Sequence, residues 1–198
     1  MSLSNHDGKI LVRTARQAVT EYLKTRKIIL QEDFKSKFSY NSGVFVTLNK
    51  EENLRGCVGF PTPVKKLYQS IVDAAIASAT EDPRFPPLLY EELDYICFEV
   101  TVLTTPEEVK VTNPHEYLSK IKVGRDGLIV KWEFGSGLLL PQVPIEYGWN
   151  EEEFLNHTCE KAGAPSDCWK EKSTMILRFE GIVFKETRPN GNVVRVSL

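Results

Sequence analysis

Between residues 94 and 103 the chain alternates: Ile96, Phe98, Val100 and Val102 are apolar, and Tyr95, Cys97, Glu99 and Thr101 fall between them. Side chains on an extended backbone point to opposite faces in turn. The pattern therefore predicts a strand with one face for a core and another that carries a thiol and a carboxylate. A strand of this kind needs partners, and the chain supplies them in pairs. Residues 43–48 and 54–60 are joined by the polar stretch 49–53. Residues 128–134 return through Gly135-Ser136-Gly137 into Leu138-Leu139-Leu140, and Asn190-Gly191 separates 174–186 from 193–196. Short turns between successive strands make antiparallel hairpins. Helical spacing appears over 9–27, from Pro63 to Ala79, and after Asn150, where an N-cap residue precedes Glu151, Glu152 and Glu153. Strand pairs prevail over strand–helix–strand units, so the expected fold is α+β, a mainly antiparallel sheet flanked by helices, in a single domain over 1–198.

Twenty-five basic and twenty-seven acidic residues give a net charge of −2, which offers no global field for nucleic acid or anionic membrane. The chain shows no cluster of cations with aromatics, so nucleic-acid binding is the weakest reading. No apolar stretch has the length of a membrane span, and the first residues lack the basic and apolar regions of a signal peptide. A cytoplasmic protein is expected. Such a setting keeps thiols reduced, and Cys57, Cys97, Cys159 and Cys168 contain no C-x-x-C pairing, so no disulfide framework is expected. Cys97 and Cys159 read as packing residues. His157 and Cys159 lie two apart in a helix and diverge, which disfavours zinc. Neither metal nor cofactor is expected.

The chemistry concentrates in Leu54-Arg55-Gly56-Cys57-Val58-Gly59-Phe60. On an extended arm Arg55 and Cys57 share a face, where a cation favours thiolate over thiol; Gly56 and Gly59 leave room for a ligand or for another backbone. The same residues also suit a bulge, a buried thiol and a structural ion pair. Downstream, Asp82, Arg84 and Phe85 sit in a loop stiffened by Pro83, Pro86 and Pro87. There they either line a site or pair across the turn while Phe85 plugs the core. Glu99 on a central strand needs a partner, and Arg55 or Arg84 could supply it. Gln142, held between Pro141 and Pro144 at the end of an apolar strand, offers an amide to a ligand or to backbone groups.

This stretch resembles the sequence hallmark of the AMMECR-one family, with Val58 where the family commonly has isoleucine. Gly43-Val44-Phe45-Val46-Thr47-Leu48, Asp82-Pro83-Arg84-Phe85, Asp126-Gly127-Leu128, Leu140-Pro141-Gln142-Val143, Trp149 with Phe154-Leu155, and Lys161-Ala162-Gly163 look like further landmarks of that family in order. The resemblance implies a larger body with a smaller lobe, around 105–150, and a cleft faced by the signature motif. It also implies an association with Memo-type proteins and radical SAM enzymes, and no assigned reaction. Two functions stay open. One is an enzyme or enzyme component that binds a small molecule or modified biomolecule, with Cys57 as catalytic thiol and Arg55, Gly56, Gly59, Asp82, Arg84, Phe85, Glu99 and Gln142 as ligand contacts. The other is a non-catalytic adaptor domain that uses the same residues to hold a partner.

Overall fold

A computed structural model describes residues 3–28 and 30–196. In chain order the helices are α1 (Asn5–Thr25), α2 (Glu32–Lys37), α3 (Leu67–Thr80), α4 (Tyr117–Lys120), α5 (Gln142–Tyr147) and α6 (Glu151–Lys161). The strands are β1 (Val44–Lys50), β2 (Asn53–Phe60), β3 (Ile96–Leu103), β4 (Glu107–Glu108), β5 (Asp126–Trp132), β6 (Gly135–Leu139), β7 (Met175–Glu186) and β8 (Val193–Val196). The fold is an antiparallel sheet flanked by helices, as the hairpin pattern predicts. By its contacts the chain divides into two compact units, Met1–Leu103 with Ile182–Ser197 and Thr104–Gly181.

In the first unit β1 is the spine, antiparallel to β2 on one side and to β3 on the other. Val44, Val46 and Leu48 of β1 and Ile96, Phe98, Val100 and Val102 of β3 are buried, and they share one core with Leu11, Val12, Ala15 and Val19 of α1 and Ile71, Ala74 and Ala75 of α3. Helix α1 begins earlier than its apolar periodicity suggests. Ser4 and Asp7 form a reciprocal capping box, in which Asp7 accepts the Ser4 N–H and the Ser4 hydroxyl accepts the Asp7 N–H. Helix α3 begins later than Pro63. The N–H groups of Leu67 and Tyr68 donate to the carbonyls of Tyr40 and Phe38, so the arriving chain sets where the helix starts. At the tip of the β1–β2 hairpin Glu51 and Glu52 hold positive φ angles of 50° and 67°. Two such residues in succession give the turn whose twist matches the strands it joins, even without glycine.

The second unit has its own core, in which Leu128, Val130 and Ile176 meet Phe154 and Leu155 of α6 and the buried ring of Trp169. Strand β5 pairs with β6 and with the first part of β7, both antiparallel. This unit runs on past residue 150, because α6 and the start of β7 belong to its core. Gln142, expected at the end of a strand, instead opens α5, with Pro144 in the first turn where its missing N–H costs nothing.

The cysteines bring a correction. Cys159 and Cys168 are joined by a disulfide with a Cα–Cα separation of 6.1 Å, while Cys57 and Cys97 are free thiols. Spacing alone hides this pair. The chain turns back at Gly163, with φ +75°, so that the end of α6 and the short turn Cys168–Lys170 come together. Closing a loop of this size restricts the unfolded chain, and Cys159→Ser is expected to cost about 2–3 kcal/mol. Alkylation in denaturant without reductant should label Cys57 and Cys97 and spare the other two; four labelled cysteines would refute the cross-link.

Candidate functional site

The sheet face opposite the core of the first unit carries the polar residues of β1, β2 and β3. Thr47 on β1 pairs with Cys57 on β2 and with Glu99 on β3, so the three form one row across adjacent strands. The Thr47 hydroxyl and the Cys57 sulfur are 3.3 Å apart. The next pair along, Asn49 with Cys97, extends the polar row, and Phe45 with Thr101 and Gly59 flanks it on the other side. All three residues of the central row are half-buried.

Arg55 is not in this row. The β1–β2 register shifts between Leu48 and Asn49: Gly56 pairs with Leu48 and Leu54 with Asn49, which leaves Arg55 as the extra residue of a bulge. A bulge breaks the alternation of faces. The Arg55 guanidinium goes to both carboxylate oxygens of Glu92, at 3.3 and 3.0 Å, and to the carbonyl of Pro86. Burial pushes the Glu92 carboxyl up, but bonds from Arg55, the Leu89 N–H and Lys50 outweigh it and hold the group at about 2. The expected pairing of Arg55 with the thiol is therefore replaced by a structural ion pair.

Asp82 and Arg84 act on the backbone of Cys57. The Cys57 N–H donates to Asp82 at 2.8 Å, Arg84 Nη2 donates to the Cys57 carbonyl at 3.1 Å, and Arg84 grips Asp82 through Nε and Nη2 at 2.9 and 2.7 Å. Bonds from Arg84 hold the buried Asp82 carboxyl well below the usual carboxylate range. Together they clip β2 at the point where it carries the thiol. Phe85 is half-buried, with the Arg84 guanidinium 5.6 Å from its ring centre. Neither arginine reaches Glu99, and among the described residues its carboxylate has no hydrogen bond or ion pair.

The motif glycines admit backbone. A Cβ on Gly56 would lie 2.1 Å from the carbonyl oxygen of Ser78 in α3, and one on Gly59 would lie 2.3 Å from that of Val44. Gln142 is half-buried in the second unit. Sequence reasoning missed Thr47, Asn49, Ser78 and Glu92. Thr47 could have been found by counting the hairpin back from its turn to the residue opposite Cys57.

Electrostatically the row is the reverse of an activated thiolate site. Burial pushes the Cys57 thiol up; the Thr47 bond and Arg84 pull it back, and Glu99 and Asp82 push it further. Burial likewise pushes the Glu99 carboxyl up, with Lys185 opposing. The result is a thiol held in its protonated form beside a carboxyl whose burial favours its neutral form, a proton donor and a proton acceptor in one row.

The model of the family described as AMMECR1 matches residues 12–184. This chain belongs to the AMMECR1 family. Protein MJ0810 of Methanocaldococcus jannaschii is 48% identical to it over 198 residues, covering 99% of this chain and 98% of the relative. Protein PYRAB00100 of Pyrococcus abyssi is 53% identical over 197 residues, 96% of each. The crystal structure of the uncharacterized protein PH0010 from Pyrococcus horikoshii superimposes with a TM-score of 0.85 at 51% identity, over 96% of this chain and 97% of that one. These names state no activity. Among the described residues no helix is long and apolar enough to cross a membrane.

Proposed function

We propose that this AMMECR1 chain is a cytoplasmic enzyme or enzyme component that takes a small molecule or modified biomolecule against the Cys57–Thr47–Glu99 row. Cys57 serves as a thiol acid and Glu99 as its proton partner. The observation that carries this reading is Glu99: a half-buried carboxylate on a strand, one residue across from the Thr47 that touches the thiol, with no hydrogen bond or ion pair among the described residues and with Lys185 acting on it only through its charge. Glu99 fills the place of the base that no histidine provides. Memo-type proteins and radical SAM enzymes, the partners implied by family resemblance, would then supply or consume the bound molecule. One observation favours the non-catalytic adaptor instead. Arg55, Gly56, Asp82 and Arg84 are all engaged in internal contacts, which leaves less of the motif for chemistry.

Site-resolved iodoacetamide labelling tests the coupling. A raised thiol pKa means that Cys57 reacts slowly at pH 7 and that its rate keeps climbing beyond the pH where an exposed cysteine levels off. Glu99→Gln removes a negative neighbour, lowers that pKa and should speed labelling several-fold at pH 8; Arg84→Ala should slow it. If Glu99→Gln leaves the Cys57 profile unchanged, the two groups do not work as a pair and the adaptor reading stands.

A further inference from the structure

Beside the row, within the first unit, lies a cavity of about 240 Å³ lined by Asn49, Glu52, Cys97, Glu99, Lys185 and Thr187. Its floor is Phe98 and Glu186, and the Glu186 carboxylate is already held by Arg13, Arg16 and the Phe98 N–H. The other polar side chains are unspent. Among the described residues the Asn49 amide, the Glu52 and Glu99 carboxylates, the Lys185 ammonium and the Thr187 hydroxyl make no hydrogen bond or ion pair with the protein. Lys185 still acts electrostatically on both Glu99 and Cys97, so its charge lies at the same wall. Glu52 lines the cavity from the tip of the β1–β2 hairpin.

Unpaired charge of both signs in one small cavity selects its occupant. A simple anion would meet two carboxylates, and a simple amine or a divalent cation would sit beside the Lys185 ammonium. We infer that this cavity binds a small zwitterion, an α-amino acid. Its carboxylate meets Lys185 with Asn49 and Thr187 as further donors, and its ammonium meets Glu99 and Glu52. The space corresponds to roughly eight waters at ~30 Å³ each, which suits a small amino acid and falls short of a nucleotide. The assignment rests on the proposal that this face takes a small molecule, and it names that molecule's class.

The test uses the full chain and calorimetric titration with L-alanine, L-serine and L-asparagine. Propanoate and ethylamine serve as the halves of alanine that lack the ammonium and the carboxylate. At least one amino acid is expected to bind, at least tenfold tighter than either half-analogue binds. Lys185→Met and Glu99→Gln should each weaken it at least tenfold, and the bound amino acid should slow alkylation of Cys97. Lys185 is exposed, so its variant keeps the fold and remains informative if the Glu99 variant does not. No binding by any of the three, or propanoate binding as tightly as alanine, overturns the inference. The outcomes separate from those at Cys57. Amino-acid binding without Glu99–Cys57 coupling would sustain the ligand and remove the acid–base role; coupling without binding would do the opposite.

Discussion

Replacing Glu186 with alanine is expected to destabilise the first unit by about 3–5 kcal/mol, because it leaves a buried guanidinium without its counter-charge. The Glu186 side chain is fully buried, and that of Arg16 is 12% exposed. Arg16 Nε donates to Oε1 at 2.8 Å, Arg16 Nη2 and the Phe98 N–H donate to Oε2, and Arg13 adds a contact at 3.3 Å. The Arg16 guanidinium also donates to the carbonyls of Leu93 and Ile96 and lies 4.6 Å from the Phe98 ring centre. One carboxylate thus ties α1 and the end of β7 to β3 at the floor of the cavity. In a protein of this length such a loss should lower the melting temperature by on the order of 10 °C. The cost is that of an orphaned charge rather than of a missing contact, so the double variant Arg16→Met, Glu186→Leu should lose less than Glu186→Ala alone. Urea denaturation of the three proteins checks this ordering. A loss under about 1 kcal/mol for Glu186→Ala, or a double variant worse than the single, would show that the pair contributes little.

This lock also marks the boundary of what was legible in the sequence. Strand alternation revealed β1, β2 and β3, because a face buried against helices tolerates only apolar residues and a one-residue slip would expose all of them. The Asn150 cap was legible for a similar reason, since its partners Glu152 and Glu153 are two and three residues away. Partner choice over long separations was not legible. Arg55 had candidate partners of equal merit, and its choice of Glu92 follows from a bulge that only the assembled hairpin displays. Glu99 carried the need for a partner, and no local pattern could show that the arginines are taken elsewhere. The disulfide escaped because its geometry depends on a turn at Gly163 and not on spacing. In the candidate site the residue types were visible, and their grouping into a row of Cys57, Thr47 and Glu99 had to come from register.

Gly56→Ala is expected to cost about 2–4 kcal/mol, although it adds a single methyl group to a strand. The new Cβ would meet the Ser78 carbonyl oxygen at 2.1 Å and its carbon at 3.1 Å, and neither atom can rotate away because both belong to the backbone of α3. Relief requires β2 and α3 to separate, and Ser78 is the residue that joins them. Its hydroxyl accepts the Val58 N–H at 2.8 Å and lies 2.7 Å from the carbonyl of Val46. Overpacking of this kind typically costs 1–3 kcal/mol, and each strained hydrogen bond adds about 1 kcal/mol. The stiffer unfolded chain returns only about 0.4–1 kcal/mol. Hydrogen exchange gives the local readout: the Val58 amide should lose protection more than the amides of β3, which α3 does not bond. Wild-type stability with an undisturbed Val58 amide would mean that the glycine is not there for the helix. The space it leaves would then have to be explained by something that binds, and the structural account of the motif would fail with it.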